Sequence, residues 1–251
     1  MFSFFKKKKV VPIIRLSGLI GNVGKFRQGI DFASQQELIK KAFSVKKISA
    51  VAISINSPGG SPVQSHLIYK FIRQQAQKKK IKVIVFAEDV AASGGYLIAC
   101  AGDEIFANSS SIVGSIGVIY SSFGFKDLIK KIGVDRRVYT AGKNKSTLDP
   151  FLEEKKEDIE RLKNIQLDLH KDFIKVVEES RGSKLNKNSG IELFSGEFWS
   201  GSKSKDLGLV DGIGNVNDVL KEKFGENVVI KKFEKSKGWL SKKLSATNNG
   251  Q

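Results

Sequence analysis

Short apolar runs alternate along this chain with longer stretches in which apolar residues recur at helical spacing. Alternating apolar positions in residues 48–55 predict a strand, and the unbroken run at 82–87 predicts a buried one. By the same criteria, strands are predicted at residues 10–16, 104–107, 136–139 and 228–233, and helices at 37–43, 63–77, 97–101, 125–132, 153–181 and 216–224. Repeated strand–turn–helix units of this kind favour an α/β domain with a mostly parallel sheet.

The length and composition are those of one large domain. The 251 residues are 40% hydrophobic, which is enough to form a proper core. We expect this domain at residues 10–234. A basic N-terminal tail at 1–9 precedes it, and a flexible basic C-terminal tail follows at 235–251, where polar residues predominate.

The net charge is +17, and most of the excess is lysine. Such a charge is typical of proteins that bind nucleic acid or anionic membranes, but it also arises from a lysine-biased composition alone. Nucleic acid is not expected as a partner, because the basic residues are not interleaved with aromatic ones and no nucleic-acid-binding signature is present.

No run in the sequence approaches the roughly 20 apolar residues of a membrane span, and no signal-peptide cleavage site follows the N-terminal residues. The tail at 1–9 carries three phenylalanines beside four lysines. This composition suits peripheral contact with an anionic membrane, and a solvated tail is the alternative. We therefore expect a cytoplasmic protein, with membrane association limited to such peripheral contact.

Cysteine and histidine are scarce. The single cysteine, Cys100, lies in an apolar stretch, which excludes a disulfide framework and favours a buried thiol. The two histidines, His66 and His170, are not near acidic clusters. We therefore expect neither a metal site nor a cofactor.

The stretch Ala91-Ala92-Ser93-Gly94-Gly95-Tyr96 is the first candidate for chemistry. It follows the predicted strand at 82–87 and precedes an apolar helix, so that Ser93 lies at a helix start. The N–H groups of Gly94 and Gly95 would be unpaired there, and the helix dipole would favour an oxyanion forming beside Ser93. The alternative is that Ser93 only caps the helix and that the glycines permit close packing.

A serine nucleophile needs a base, and the residues alone leave the choice open. His66 lies inside a predicted helix without an acidic partner, and a lone histidine such as His170 is more often a packing or surface residue. A lysine kept neutral by burial is the other known base. Lys143 and Lys145 both lie in an irregular loop after a predicted strand, where open α/β sheets place their chemistry, and spacing does not choose between them.

Several motifs follow one another along the chain. They are Asn56-Ser57-Pro58-Gly59-Gly60, Ala92-Ser93-Gly94-Gly95-Tyr96, Val113-Gly114-Ser115-Ile116-Gly117-Val118, the loop at 142–151, and Phe194-x-Gly196-x-x-Trp199-x-Gly201 with Gly208-Leu209-Val210-Asp211. Together they resemble the signal peptide peptidase A family of serine proteases, in the family's order and over most of the chain. The resemblance implies a peptidase domain with a Clp protease/crotonase-like fold of repeated β-β-α units.

The resemblance also implies a serine–lysine dyad. It assigns the roles of nucleophile, base and lysine-binding hydroxyl to Ser93, Lys145 and Ser115. It assigns the oxyanion hole to the turn at Gly59 and Gly60 together with the N–H of Gly94. Which glycine of the 59–60 pair donates stays open.

For a chain of this length, the resemblance implies a homo-oligomeric ring in which the serine of one subunit meets the lysine of the next. The expected activity is endopeptidase hydrolysis of peptides such as signal-peptide remnants or other apolar, membrane-derived peptides. The chain departs from the family in having no predicted N-terminal membrane span. The alternatives are a catalytically silent, ring-forming scaffold that binds membranes or partners through its basic surface, and acyl-CoA chemistry of the crotonase type.

Overall fold

The computed structural model describes residues 8–22 and 29–234, which form strands and helices in alternation. The strands are β1 (Val10–Ser17), β2 (Val51–Ser57), β3 (Val83–Ala92), β4 (Glu104–Ala107), β5 (Ile112–Gly114), β6 (Phe198–Ser200), β7 (Gly212–Ile213) and β8 (Val229–Phe233). The helices are α1 (Phe32–Phe43), α2 (Pro62–Lys79), α3 (Gly94–Ala99), α4 (Lys126–Lys131), α5 (Lys156–Arg181), α6 (Gly201–Asp206) and α7 (Val216–Phe224).

These strands form one sheet in the order β6-β5-β3-β2-β1-β8, with β4 beside β3 and β7 beside β4. Every pair is parallel except β5 with β6. Parallel neighbours need a crossover connection, and α1 and α2 supply it between β1, β2 and β3. The predicted fold class, an α/β protein with a mostly parallel sheet, is therefore confirmed.

β3 changes its neighbour halfway along its length. Residues 84–87 pair with β4, whereas residues 90–92 pair with β5. On the other side of β3, the register with β2 shifts between Ile55 and Ser57, so that β3 carries extra residues there. Because a bulge bends its strand, the last residues of β3 form a separate platform with β5, and this platform carries the candidate site.

Helices cover both faces of the sheet. On one face, the buried apolar residues of α1, α2, α3 and the second half of α5 pack with those of the strands; they include Ile39, Ile68, Ile72, Leu97, Phe173 and Val177. On the other face, α7 packs through Val219 and Leu220 against Val11, Ile13, Ile84 and Phe86. The strands are therefore apolar on both sides, which explains the continuous run in β3.

Most predicted elements are present, with shifted ends. The strand at 104–107 and the helix at 216–224 have the predicted bounds. Helix α1 begins at Phe32 rather than at residue 37, because the Asp31 carboxylate accepts a hydrogen bond from Ser34 N–H at 2.9 Å and caps the helix.

The strand predicted at 136–139 is wrong. The structure has no regular secondary structure there, and the side chain of Tyr139 is 92% exposed. The segment has only two adjacent apolar residues, Val138 and Tyr139, and no described strand lies beside it to accept its backbone hydrogen bonds. A salt bridge of 3.0 Å between Arg136 and Asp149 links it to the following loop instead.

The two tails predicted at 1–9 and 235–251 lie largely outside the described residues, and their flexibility stays a prediction, as does the domain at 10–234. Lys8 and Lys9 are described and exposed. Within residues 8–22 and 29–234, no helix is both long and apolar enough to cross a membrane.

A buried ion pair joins the end of α5 to the segment between α6 and β7. Arg181 is only 1% exposed, and its guanidinium donates to Gly208 O and to Asp211. Burial is the largest single influence on the pKa of Asp211, and taken alone it would raise that pKa. Hydrogen bonds from Arg181, Lys184 and the N–H of Ile105 outweigh burial and hold this pKa below its ordinary value.

We expect Arg181→Met to lower the free energy of unfolding by about 3 kcal/mol, because it leaves Asp211 and Gly208 O without their buried donor. Urea unfolding measures the loss. Lys184→Met removes only an exposed partner of Asp211 and should cost less than about 1 kcal/mol. The pKa of Asp211 is lower in the folded than in the unfolded state. The stability that ionised Asp211 contributes is therefore fully present above its unfolded-state pKa, and it is lost as the pH falls through its folded-state pKa. Equal losses for the two variants at pH 7 would contradict this account.

Candidate active site

Ser93 occupies a strained turn between β3 and α3. Its φ of 50° and ψ of −123° lie outside the regions that residues other than glycine favour. The N–H of Ser93 donates to Gly114 O at 2.8 Å, and its side chain makes no capping hydrogen bond to α3. Capping therefore does not explain this serine. A strained serine at a strand-to-helix turn is the geometry in which a nucleophile is presented to a cleft.

The β3–β5 platform places a second serine beside the first. Ala92 and Gly114 are partners in the parallel ladder, so Ser93 and Ser115 each follow a paired residue. Ser115 also has a positive φ, of 54°, and its N–H donates to Glu197 O at 2.6 Å. The sequence-predicted pair, Ser93 and Ser115, is thus brought to one place.

Both serines border a cleft with a volume of about 370 Å³. Its polar part is formed by these hydroxyls and by backbone. Its apolar wall is formed by side chains from α2, α3, α5 and the segment after β5, namely Pro62, Leu97, Leu169, Phe173, Val118 and Ile119. The cleft therefore offers a nucleophile next to a surface suited to apolar side chains.

The two glycines of the 59–60 turn have different hydrogen bonds. The N–H of Gly59 donates to Ser57 Oγ at 3.2 Å. Gly60 forms a parallel β-bridge with Ile20, but the residues on either side of Gly60 make its hydrogen bonds. Ile20 N–H donates to Gly59 O, and Ser61 N–H donates to Ile20 O, both at 2.8 Å. The N–H of Gly60 has no acceptor within the described residues, and Gly60 borders the cleft.

Gly94, at the start of α3, also borders the cleft, and its N–H likewise has no acceptor in the part of the chain that the structure describes. Two uncommitted N–H groups thus lie on the wall that carries Ser93. Such a pair is what an oxyanion requires. Gly59 lacks a free N–H, but it lies next to Ser93.

We expect Gly59→Ala to destabilise the fold and displace Ser93. At Gly59, with φ of +107°, a Cβ would lie 2.8 Å from Ser93 Cβ and 2.9 Å from Gly94 N. The cost should be about 2–4 kcal/mol, from backbone strain together with steric overlap. Gly225 is the matched control: it has a φ of +96° and open space around its Cα, so Gly225→Ala suffers only the strain. Thermal unfolding of both variants measures the difference, and equal losses would show that contact with Ser93 does not matter.

Lys145 is not brought to this cleft within one chain. It is exposed in the loop after α4, where its N–H donates to Gly142 O at 3.1 Å. Neither Lys145 nor Lys143 is among the residues that line the cleft. The preceding residues form no strand, so the loop does not stand at a strand end as predicted.

The two histidines have different environments. His66 lines a neighbouring cavity of about 240 Å³ that shares Leu97 and Phe173 with the Ser93 cleft. Burial, and then the charge of Lys70, lower the pKa of His66. For His170 the sequence favours a packing or surface role over that of a base. Its Nε2 lies 3.1 Å from Ile116 O and connects α5 to the loop that begins at Ser115.

The sequence contains a signal for the position of His170. It lies three residues before the buried Phe173, on the same face of α5. Periodicity places it toward the core, but it does not reveal that the Ser115 loop lies there.

Cys100 is buried, and burial raises its pKa from 9.0 to about 12. It is therefore no candidate nucleophile. No group of three or more His, Cys, Asp or Glu residues in the described parts of the chain could hold a metal ion.

Comparison with known proteins decides the family. The sequence profile of peptidase family S49 matches residues 75–228, which is more than half of the chain and includes Ser93, Ser115 and Lys145. The chain belongs to peptidase family S49. The resemblance to the signal peptide peptidase A family is thereby confirmed.

Curated relatives of this S49 chain carry different names. The chain is 55% identical over 235 residues to a protein of Brucella abortus named Na⁺/H⁺ antiporter NhaA. The aligned region covers 93% of this chain and 32% of that protein. The chain is 33% identical over 218 residues to the chloroplastic serine protease SPPA of Arabidopsis thaliana, covering 84% of this chain and 31% of the relative. The chain thus spans about a third of the length of these relatives.

Among solved structures, the membrane-bound stomatin-specific protease 1510-N, in a mutant form, superposes with a TM-score of 0.56 at 17% identity. The match covers 91% of this chain and 99% of that protein. At this low sequence identity, the superposition shows only that the two proteins share a fold.

Proposed function

We propose that this protein is a serine endopeptidase in which Ser93 is the nucleophile. The observation that carries the proposal is the position of Ser93: a strained turn that presents its hydroxyl to a cleft beside the N–H groups of Gly60 and Gly94, which have no acceptor among the described residues. Membership of a peptidase family supports the same reaction. Of the two glycines left open by the sequence, Gly60 is the proposed donor, because the N–H of Gly59 is committed to Ser57.

The proposed base is Lys145 of a neighbouring subunit. In a single chain its side chain is exposed and absent from the cleft, so an intact site needs a second copy. The segment at 119–139, which precedes the Lys145 loop, carries unusually exposed apolar side chains, including Ile119 at 86%, Phe123 at 78% and Ile132 at 65%. Exposed apolar surface of this kind is suited to contact with another subunit. We therefore propose a homo-oligomeric ring.

The reaction follows from these groups. As the proposed base, the amine of Lys145 from the neighbouring subunit removes the proton of Ser93 Oγ as the oxygen attacks the peptide carbonyl. The N–H groups of Gly60 and Gly94 stabilise the oxyanion. The protonated lysine then gives its proton to the leaving amine, and it later activates the water that hydrolyses the acyl-enzyme. Ser115 accepts or donates a hydrogen bond at the lysine amine and orients it.

The proposed substrates are extended peptides with apolar side chains. The cleft wall formed by Leu97, Leu169 and Phe173 supports this choice, since it is apolar and no charged residue lines the cleft in the part of the chain that the structure describes. Remnants of signal peptides and other membrane-derived peptides fit the description. A cytoplasmic location, predicted from the sequence, stays a prediction.

A serine-directed fluorophosphonate tests the proposal. The assembled protein should become labelled on Ser93, as located by peptide mass spectrometry, and Ser93→Ala should not be labelled. Ser115→Ala should still be labelled, more slowly. Labelling on Ser115 instead would overturn the assignment of the nucleophile. Absence of any labelling in an assembled sample would favour the silent scaffold.

A further inference from the structure

The topology gathers lysines from distant parts of the sequence at one edge of the sheet. Because β1, β2 and β3 are parallel, the loops from α1 to β2 and from α2 to β3 both lie at the amino ends of the strands. Backbone hydrogen bonds join these loops to the strand starts: Ser49 N–H donates to Val10 O, and Val51 N–H donates to Lys82 O. Six exposed lysines lie in these loops and in the last turn of α2, and we call them the basic edge: Lys46, Lys47, Lys78, Lys79, Lys80 and Lys82.

The charge of the basic edge is not neutralised within the fold. All six side chains are exposed, and none forms an ion pair with any described residue. The acidic residues at the start of β4 have their own partners: Asp103 pairs with Arg73, and Glu104 with Lys223. The edge therefore projects a positive potential into solvent.

Backbone strain at two of these lysines supports a role for their charge. Lys47 has φ of 58° and Lys80 has φ of 54°, in the left-handed region that favours glycine or asparagine. Lys80 ends α2 in this conformation. Both side chains are exposed and form no ion pair with a described residue, so each position holds a strained, exposed cation where glycine or asparagine would be less strained.

We propose that the basic edge is a docking surface for the anionic headgroups of a lipid bilayer. A row of lysines on an open edge matches a surface of distributed negative charge. In the described residues, the exposed aromatic side chains lie elsewhere, as at Phe123 and Tyr139, so the edge has no platform on which nucleic-acid bases would stack. Lys8 and Lys9 lead into β1 at this same edge, and the sequence before them, Met1-Phe2-Ser3-Phe4-Phe5, has a composition suited to the membrane interface.

This surface is separate from the peptidase site. Ser93 follows the carboxyl end of β3, whereas Lys82 immediately precedes its amino end. At about 3.3 Å per residue, the 10 residues of β3 separate the two by roughly 30 Å. Docking through the basic edge thus leaves the cleft accessible, and the proposal holds or fails independently of the peptidase reaction.

Vesicle co-sedimentation of the full chain tests the proposal. Vesicles of phosphatidylcholine mixed with phosphatidylserine are compared with vesicles of phosphatidylcholine alone, at physiological ionic strength. Lys47→Asn with Lys80→Asn should weaken binding to the mixed vesicles about tenfold or more. Asparagine tolerates a positive φ, so the melting temperature of this double variant should be unchanged or higher. The loss of binding then cannot come from unfolding.

The matched control is Lys156→Asn with Lys163→Asn, which removes the same charge from exposed positions of α5 that form no ion pair with described residues. This control should bind the mixed vesicles like the wild type, which would support a localised surface. Equal losses for the two double variants would overturn the proposal, because net charge alone would then explain binding. Unchanged binding by the Lys47 and Lys80 variant would also overturn it. The proposal would also be overturned if the protein bound duplex DNA more tightly than the mixed vesicles and if this DNA binding depended on Lys47 and Lys80.

Discussion

Ser93→Gly is expected to abolish peptidase activity and to make the protein more stable. Loss of the nucleophile should lower kcat by at least about 10⁴-fold, as in other serine hydrolases. Glycine adopts the φ of 50° and ψ of −123° found at position 93 without steric strain. Relief of that strain is worth roughly 1 kcal/mol, which for a chain of this size corresponds to about 2–4 °C in melting temperature.

Ser93→Ala separates the two effects. It should be as inactive as Ser93→Gly, but its melting temperature should stay at the wild-type value, because alanine retains the strain. Kinetics on an apolar peptide substrate and calorimetry at fixed protein concentration measure both quantities. Retention of more than about 1% activity by either variant would exclude Ser93 as the nucleophile. A melting temperature of Ser93→Gly below that of Ser93→Ala would show that the turn is not strained in solution.

Lys145→Met is the second substitution for which a large loss is expected. Without the base, kcat should fall by about 10³- to 10⁴-fold, whereas Lys143→Met should retain activity. The structure adds a sharper test, because Lys145 lies outside the cleft of its own chain. If the dyad joins two subunits, Lys145→Met subunits provide intact serines and Ser93→Ala subunits provide intact lysines.

Mixing the two inactive variants should therefore restore activity. In a randomly mixed ring, a site is complete when a Lys145→Met subunit contributes the serine and its neighbour is a Ser93→Ala subunit, which gives about a quarter of the wild-type activity. Native mass spectrometry confirms that the subunits have exchanged. A mixture that exchanges but stays inactive would show that the dyad, if present, lies within one chain.

The sequence predicts the sheet well because the strands of this fold are buried on both faces. After Lys82, the residues of the predicted strand at 82–87 are all apolar, and β3 indeed lies between the α2–α3 layer and α7. Periodicity cannot show that β3 continues to Ala92, because Glu88 and Asp89 interrupt the pattern at the bulge where β3 changes its neighbour. The continuation past this bulge is what places Ser93 beside Ser115.

Other parts of the site depend on contacts that spacing does not encode. The choice between Gly59 and Gly60 follows from the hydrogen bond between Gly59 N–H and Ser57 Oγ, which no motif reveals. The wrongly predicted strand at 136–139 is a short segment with two β-favouring residues, Val138 and Tyr139, but no described strand lies beside it. In the proposed ring, the environment of Lys145 depends on a second copy, so neither the sequence nor a single subunit would determine it.

The burial of Cys100 has a practical consequence for following assembly. A thiol this inaccessible, with a pKa of about 12, should resist maleimides while the protein is folded. A cysteine introduced on the surface, for example by Ser183→Cys, would then be the single reactive thiol of each subunit. Donor and acceptor fluorophores attached there would report, by energy transfer, how fast subunits exchange between the proposed rings.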